Sequence, residues 1–218
     1  MDLYKLNHVS YNQGGKEILN DIHFSLAEGE VLTIMGPSGS GKSSLLRLLS
    51  SLESPSEGQI FYQGKNLQDL DPGAYRQEVA YLRQRPILFK GTVEDNLSFA
   101  FKMKKKDYKK EKVLAFMEGL KLKSDLLGEN VENLSGGEAS RLAFIRSLIL
   151  DPQVFLLDEP TSALDLENTR ILEDSLRDLH QEGRTLIWVT HDLDQSLRQG
   201  TCRMTIKNGR IFEMERLA

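Results

Sequence analysis

Eight residues, Gly36-Pro-Ser-Gly-Ser-Gly-Lys-Ser43, constrain this chain more than any other stretch. Ahead of them Val31 to Met35 is a short, nearly continuous apolar run, the pattern of a strand buried on both faces. Behind them Leu45, Leu46, Leu48, Leu49 and Leu52 recur at helical spacing. Strand, glycine loop and helix in that order satisfy the phosphate-binding pattern G-x-x-x-x-G-K-[ST]. Glycines let successive backbone N–H groups turn toward one anion without side-chain clashes. A helix starting at Lys42 points its positive dipole end at the same place. Gly36, Pro37, Ser38, Gly39, Ser40, Gly41, Lys42, Ser43 and Ser44 are therefore expected to cradle a nucleotide's phosphates. In that cradle the Lys42 ammonium reaches the β- and γ-phosphates and the Ser43 hydroxyl ligates Mg²⁺.

Val154-Phe-Leu-Leu-Asp158-Glu159 supplies the complementary half. Four apolar residues make a buried strand, and the acids emerge at its C-terminal end, where α/β sheets place their ligands. Asp158 is suited to hold Mg²⁺, directly or through water. Glu159, one residue on, can orient and deprotonate an attacking water. An acidic pair after a strand is common in ordinary loops, and it is the phosphate loop that gives this one a meaning.

The rest of the chain reads as β-rich, then α/β, then helical, then α/β. Leu3, Lys5, Asn7 and Val9 alternate with other residues, and a turn cluster at Gln13-Gly-Gly-Lys16 separates them from a second alternating run, Ile22, Phe24 and Leu26. Gln59 to Gln63 and Val79 to Leu82 look like strands. Residues 93–150 turn helical, with Val113, Leu114, Phe116, Met117 and Leu120 on one face, and 167–181 is a further helix before a buried strand at Leu186 to Val189. A chain of 218 residues can bury roughly 70% of its unfolded surface and needs no staples. Its single cysteine, Cys202, cannot form an intrachain disulfide and fits a reducing compartment. The net charge of -4 argues against a general nucleic-acid binder. No window approaches the roughly 20 apolar residues that cross a bilayer. Lys102 to Lys112 holds seven lysines, most simply a solvated face or loop, the alternative being a weak attraction to anionic headgroups or an acidic partner loop.

Between the two nucleotide motifs stands Leu134-Ser-Gly-Gly-Glu138, and together the three resemble the ABC ATPases. The resemblance runs through almost the whole chain. It implies an α/β fold of the P-loop NTPase type: a mixed central sheet, an N-terminal antiparallel β subdomain and an inserted α-helical signature subdomain. One domain over 1–218 is expected, with 1–92 and 151–218 forming the core and 93–150 the helical part. Tyr11, 25 residues before Gly36, matches the aromatic that stacks on adenine, although a core role suits a strand-end tyrosine too. Gln84 matches the glutamine that senses Mg²⁺ and the γ-phosphate, Asp165 lies in the loop that reaches across the dimer, and His191 matches the γ-phosphate histidine. The family's arrangement is a head-to-tail dimer with ATP sandwiched between subunits. Each ATP would face Ser135, Gly136, Gly137 and Glu138 of the other copy, at the start of a helix from about residue 138. Glu138 stands where glutamine is commoner, and Ala139-Ser140 replaces a polar pair. That narrows the subfamily without damaging the chemistry.

Ala74 to Tyr81, Ile87-Leu-Phe with Gly91 to Leu97, and Trp188 to Asp192 are similar to the ATP-binding subunits of Fet-type iron exporters. By that resemblance the partner is a polytopic membrane permease docking around residues 85–100, and the chain sits on the cytoplasmic face of the membrane. A soluble scaffold ATPase for iron–sulfur assembly and a lipoprotein-release or division-type subunit fit by size as well.

Overall fold

A computed structural model describes residues 2–217. They divide into two compact units. One runs up to Tyr81 and includes Gln153–Glu159 and everything from Leu179 onward; the other comprises Leu82–Pro152 and Pro160–Asp178.

The first unit is built on two sheets. Strands β1 (Asp2–Gln13), β2 (Lys16–Ala27), β4 (Glu57–Tyr62) and β5 (Lys65–Asn66) form an antiparallel sheet in the order β2-β1-β4-β5. The second sheet runs β10-β9-β3-β8-β7-β6, with β3 (Val31–Met35), β6 (Val79–Leu82), β7 (Val154–Asp158), β8 (Thr185–Val189), β9 (Cys202–Lys207) and β10 (Arg210–Arg216). β9, β3, β8 and β7 are parallel neighbours, while β10 returns antiparallel to β9. Every residue of β7 and β8 is buried, which explains why both read as unbroken apolar runs.

The alternation predicted for β1 is out of phase in its first half. Leu3, Tyr4 and Leu6 are buried while Lys5 is exposed, and beyond His8 it is Val9 and Tyr11 that face the core. The switch falls at His8, whose φ of 49° marks a bulge between the Leu6 and Val9 pairings. Asp21 (φ 54°) bulges opposite, and its carboxylate lies 2.7 Å from His8 Nδ1. An extra residue in a strand turns every later side chain to the other face.

Helix α1 (Lys42–Leu49) follows β3 and buries Leu45, Leu46, Leu48 and Leu49, each contributing roughly 2 kcal/mol. Leu52 does not join them. The helix stops at Leu49, Ser51 takes a φ of 55°, Leu52 N and Glu53 N both return to Arg47 O, and Leu52 is left 40% exposed. Asp71 caps the short α2 (Pro72–Glu78), and Asp192 caps α7 (Leu193–Gln199).

The second unit is helical: α3 (Val93–Met103), α4 (Lys110–Gly119), α5 (Gly136–Leu150) and most of α6 (Leu166–Gln181). Val93, Leu97, Val113, Met117, Leu142 and Ile145 are completely buried. Six of the seven lysines between 102 and 112 are exposed, across the α3–α4 connection. Among the described residues no helix is long and apolar enough to cross a membrane.

Candidate active site

The phosphate loop occupies the turn between β3 and α1, as its glycines require. Gly36 (φ 144°) passes so close to β9 that an added Cβ would lie 2.1 Å from Ile206 O. Gly41 (φ 104°) would place its Cβ 2.5 Å from Leu19 Cδ2. Both need the absence of a side chain, whereas Gly39 (φ 76°) needs only the left-handed backbone. Pro37, Ser38 and Gly39 form the exposed lip, while Ser40 and Lys42 lie beneath, each 5% exposed. Gly36→Ala is expected to cost on the order of 2 kcal/mol and to abolish nucleotide binding, because backbone rather than a flexible side chain must move. Thermal melts and a fluorescent-nucleotide titration would check it; full binding at an unchanged melting temperature would refute it.

Lys42 Nζ donates to Gly36 O and Pro37 O at 2.8 and 2.9 Å. Burial pulls its pKa down, against the opposing pull of Glu159 and Asp158. One residue on, Ser43 Oγ donates to Asp158 Oδ1 at 2.9 Å, and Tyr81 Oη donates to Asp158 Oδ2 at 3.1 Å. Ser44 Oγ accepts from Arg47 Nη2 at 2.8 Å, which fixes the helix's first turn rather than facing the loop. Glu159 follows the end of β7 with a φ of 50°, a conformation that costs a non-glycine residue energy and recurs at functional sites. Its N–H donates to Val189 O, and its Oε1 lies 2.5 Å from His191 Nε2. Beside His191, Thr190 Oγ1 donates to Gln195 Oε1 at 2.6 Å and accepts from Asp192 N at 3.1 Å. Lys42, Ser43, Asp158, Glu159 and His191 thus gather in one unit although they span 150 residues of chain.

Tyr11, matched above to the adenine-stacking aromatic, lies near the end of β1. It is 7% exposed, packed with the core of the antiparallel sheet, and the Glu53 carboxylate beside its hydroxyl raises the phenol's pKa.

The second unit carries the remaining candidates. Ser135 caps α5: its Oγ accepts from Glu138 N at 3.3 Å, and Glu138 Oε2 accepts from Ser135 N and Oγ at 2.8 and 2.7 Å. These bonds hold the Glu138 carboxyl below its usual pKa. The reciprocal cap also moves the helix start to Gly136, two residues before the predicted 138. Glutamine closes the same box, which is why Glu138 in its place disturbs nothing locally. Gly136 and Gly137 form the helix's first turn, where N–H groups have no intrahelical partner. Asp165 accepts from Asn168 N at 2.8 Å and is likewise held below its usual pKa. Gln84 lies exposed in the loop after β6.

Three residues with specific tertiary contacts were missed by sequence reasoning. Asn96, fully buried on α3, brackets Phe89: it accepts from Phe89 N and donates to Phe89 O, both at 2.9 Å. Arg146 on α5 donates to Ile87 O at 2.7 Å and lies over the Phe89 ring at 5.1 Å. In the first unit, Tyr81 was visible only as strand hydrophobe, its bond to Asp158 spanning 77 residues. Only the S-x-x-E spacing of Ser135 and Glu138 carried a local signal.

The ABC transporter family profile matches residues 19–162. The chain belongs to the ABC transporter ATP-binding family. The cassette is 42% identical over 194 residues to the probable iron export ATP-binding protein FetA of Escherichia coli, covering 88% of this chain and 86% of that one. It is 35% identical over 218 residues to the spermidine/putrescine import ATP-binding protein PotA of Bacteroides thetaiotaomicron, covering 97% of this chain but only 46% of PotA. A dimeric ATP-binding cassette solved in a post-hydrolysis state with ADP and Pi superposes with a TM-score of 0.90 at 28% identity, covering 99% of both chains. The cassette is therefore an ATP-binding ATPase with the ABC fold, and its solved neighbour is a dimer.

Proposed function

We propose that this cassette drives export of a metal ion, iron by its resemblance, through a separate polytopic permease on whose cytoplasmic face it docks. The observation that carries the reading is the match to FetA, which extends over most of both proteins, whereas the PotA relative is more than half unmatched. Ile87, Phe89 and Phe99, at 54%, 45% and 40% exposure, offer an apolar surface on the segment expected to meet that permease. Iron is cargo here, handled by the permease.

Within each cassette the residues fit Mg²⁺ and ATP. Ser43 and Asp158 present hard oxygens to one point, and Ser40 Oγ is buried without a hydrogen-bond partner in a loop lined with backbone N–H groups. Mg²⁺, when bound, neutralises charge on the β- and γ-phosphates. Ser43 and Asp158 would hold it, with Gln84 as the sensing ligand. Lys42 would turn from its carbonyl partners to the phosphates. Glu159 would take the proton of the attacking water, oriented by His191. Ser135, Gly136, Gly137 and Glu138 would close the site from a second copy, with Asp165 lining the dimer contact. A soluble scaffold ATPase or a lipoprotein-release subunit would use the same site, so the partner discriminates.

Affinity purification of the tagged cassette from membranes should bring down a small hydrophobic permease, and deletion of the cassette should raise cell iron at least about twofold under iron excess, measured by elemental analysis. Recovery with soluble partners alone and unchanged iron would overturn the exporter reading.

A further inference from the structure

Asp158 is held from both sides. Ser43 reaches Oδ1 from α1, and Tyr81 reaches Oδ2 from β6, the strand next to β7 in the sheet. The aspartate is 6% exposed, so these partners, not water, set its orientation. An aspartate's terminal torsion is broad and roughly two-fold, and nothing intrinsic decides which oxygen faces Ser43. A phenol on Oδ2 decides it, leaving Oδ1 turned toward Ser43. The Tyr81 ring is partly buried against the hydrophobic core, and that contact needs no hydroxyl. The hydroxyl bonds Asp158.

We infer that Tyr81 is a positioning residue for the metal-nucleotide complex, its phenol locking the Asp158 carboxylate in the orientation that presents one oxygen beside Ser43. The inference rests on the reading of Ser43 and Asp158 as Mg²⁺ ligands. Fixing a ligand before the metal arrives removes a rotation that binding would otherwise have to freeze, and partners of metal-binding side chains act in this way. Tyr81→Phe keeps the ring and removes the hydroxyl that bonds Asp158.

The test is equilibrium ATP binding to the intact chain by calorimetry, in excess EDTA and in excess Mg²⁺, for the wild type and Tyr81→Phe. Affinity in EDTA should be unchanged, while the gain conferred by Mg²⁺ should fall about threefold to tenfold, the range of one hydrogen bond. The Mg²⁺ concentration giving half that gain should rise. An unchanged gain overturns the inference. So does an equal loss in both conditions, which would make Tyr81 a packing residue, and so does a larger gain, which would mean that the phenol competes with the metal. Tyr81→Met, which also lacks the hydroxyl, repeats the measurement should Tyr81→Phe fail to fold, as judged by thermal melts. A wild type that binds ATP with no gain from Mg²⁺ would remove the Mg²⁺ reading itself, and this inference with it.

Discussion

Glu159→Gln is expected to cut steady-state ATP hydrolysis at least about a hundredfold while ATP binding stays within about twofold of the wild type. A positioned general base contributes roughly 10² to 10⁴ in rate, and the amide keeps the shape of the carboxylate while losing its basicity. The surroundings single out this acid. Glu159 is held by a backbone bond to Val189 O and faces His191 at 2.5 Å, whereas Asp158 has both oxygens occupied by hydroxyl donors. This arrangement suits the proposed roles, Asp158 as a fixed ligand and Glu159 as the group that exchanges a proton. Because binding survives and turnover does not, the ATP-bound dimer should accumulate. Phosphate release, calorimetry and size-exclusion chromatography with ATP would measure the three effects. Hydrolysis at the wild-type rate would sink the assignment of the base.

The second large effect concerns the partner copy. Ser135→Arg should abolish hydrolysis while sparing ATP binding to the isolated chain, because the phosphates that Ser135 meets would belong to the other subunit. The substitution also removes the helix cap, a loss of about 1 kcal/mol. Ser135→Asn, which preserves a capping side chain, therefore serves as the control for helix stability. Lys42→Ala should be inactive for the opposite reason, its own phosphate loop being disarmed. A mixture of Ser135→Arg and Lys42→Ala chains pairs an intact loop on the first with an intact Ser135 on the second. It should regain up to about a quarter of wild-type activity if half the dimers are mixed and each has one working site. Rescue can be read only in a mixture, since neither chain recovers alone. Cross-linked mixed dimers that stay inactive would show that one complete site does not suffice, or that Ser135 does not act across the dimer.

The nucleotide loop was legible because its requirements are local. Glycines at 36 and 41 stand where a side chain would strike β9 and Leu19, and such needs are written in consecutive residues. The acidic pair after β7 and the histidine after β8 were legible for the same reason, each following a run of buried apolar residues. What escaped was non-local or cancelled by geometry. The His8 bulge reversed the face of half of β1, and nothing in a period-two pattern announces the extra residue. Leu52 kept helical spacing after the helix had ended, because backbone returning to Arg47 O, not hydrophobicity, determines the stop. Asn96, Arg146 and Tyr81 are ordinary residues in sequence, and only tertiary contacts give them work.

Arg146 has a mechanical consequence. It grips Ile87 and Phe89 from the same α5 rod whose first residues are Gly136 and Gly137, and Asn96 clamps the grip from α3. Ten residues of helix separate Arg146 from Gly136, a stiff arm of about 15 Å. The backbone beside the exposed Phe89 ring and the serine-glycine tip are thus tied to a single rod, with no soft loop in the span between them.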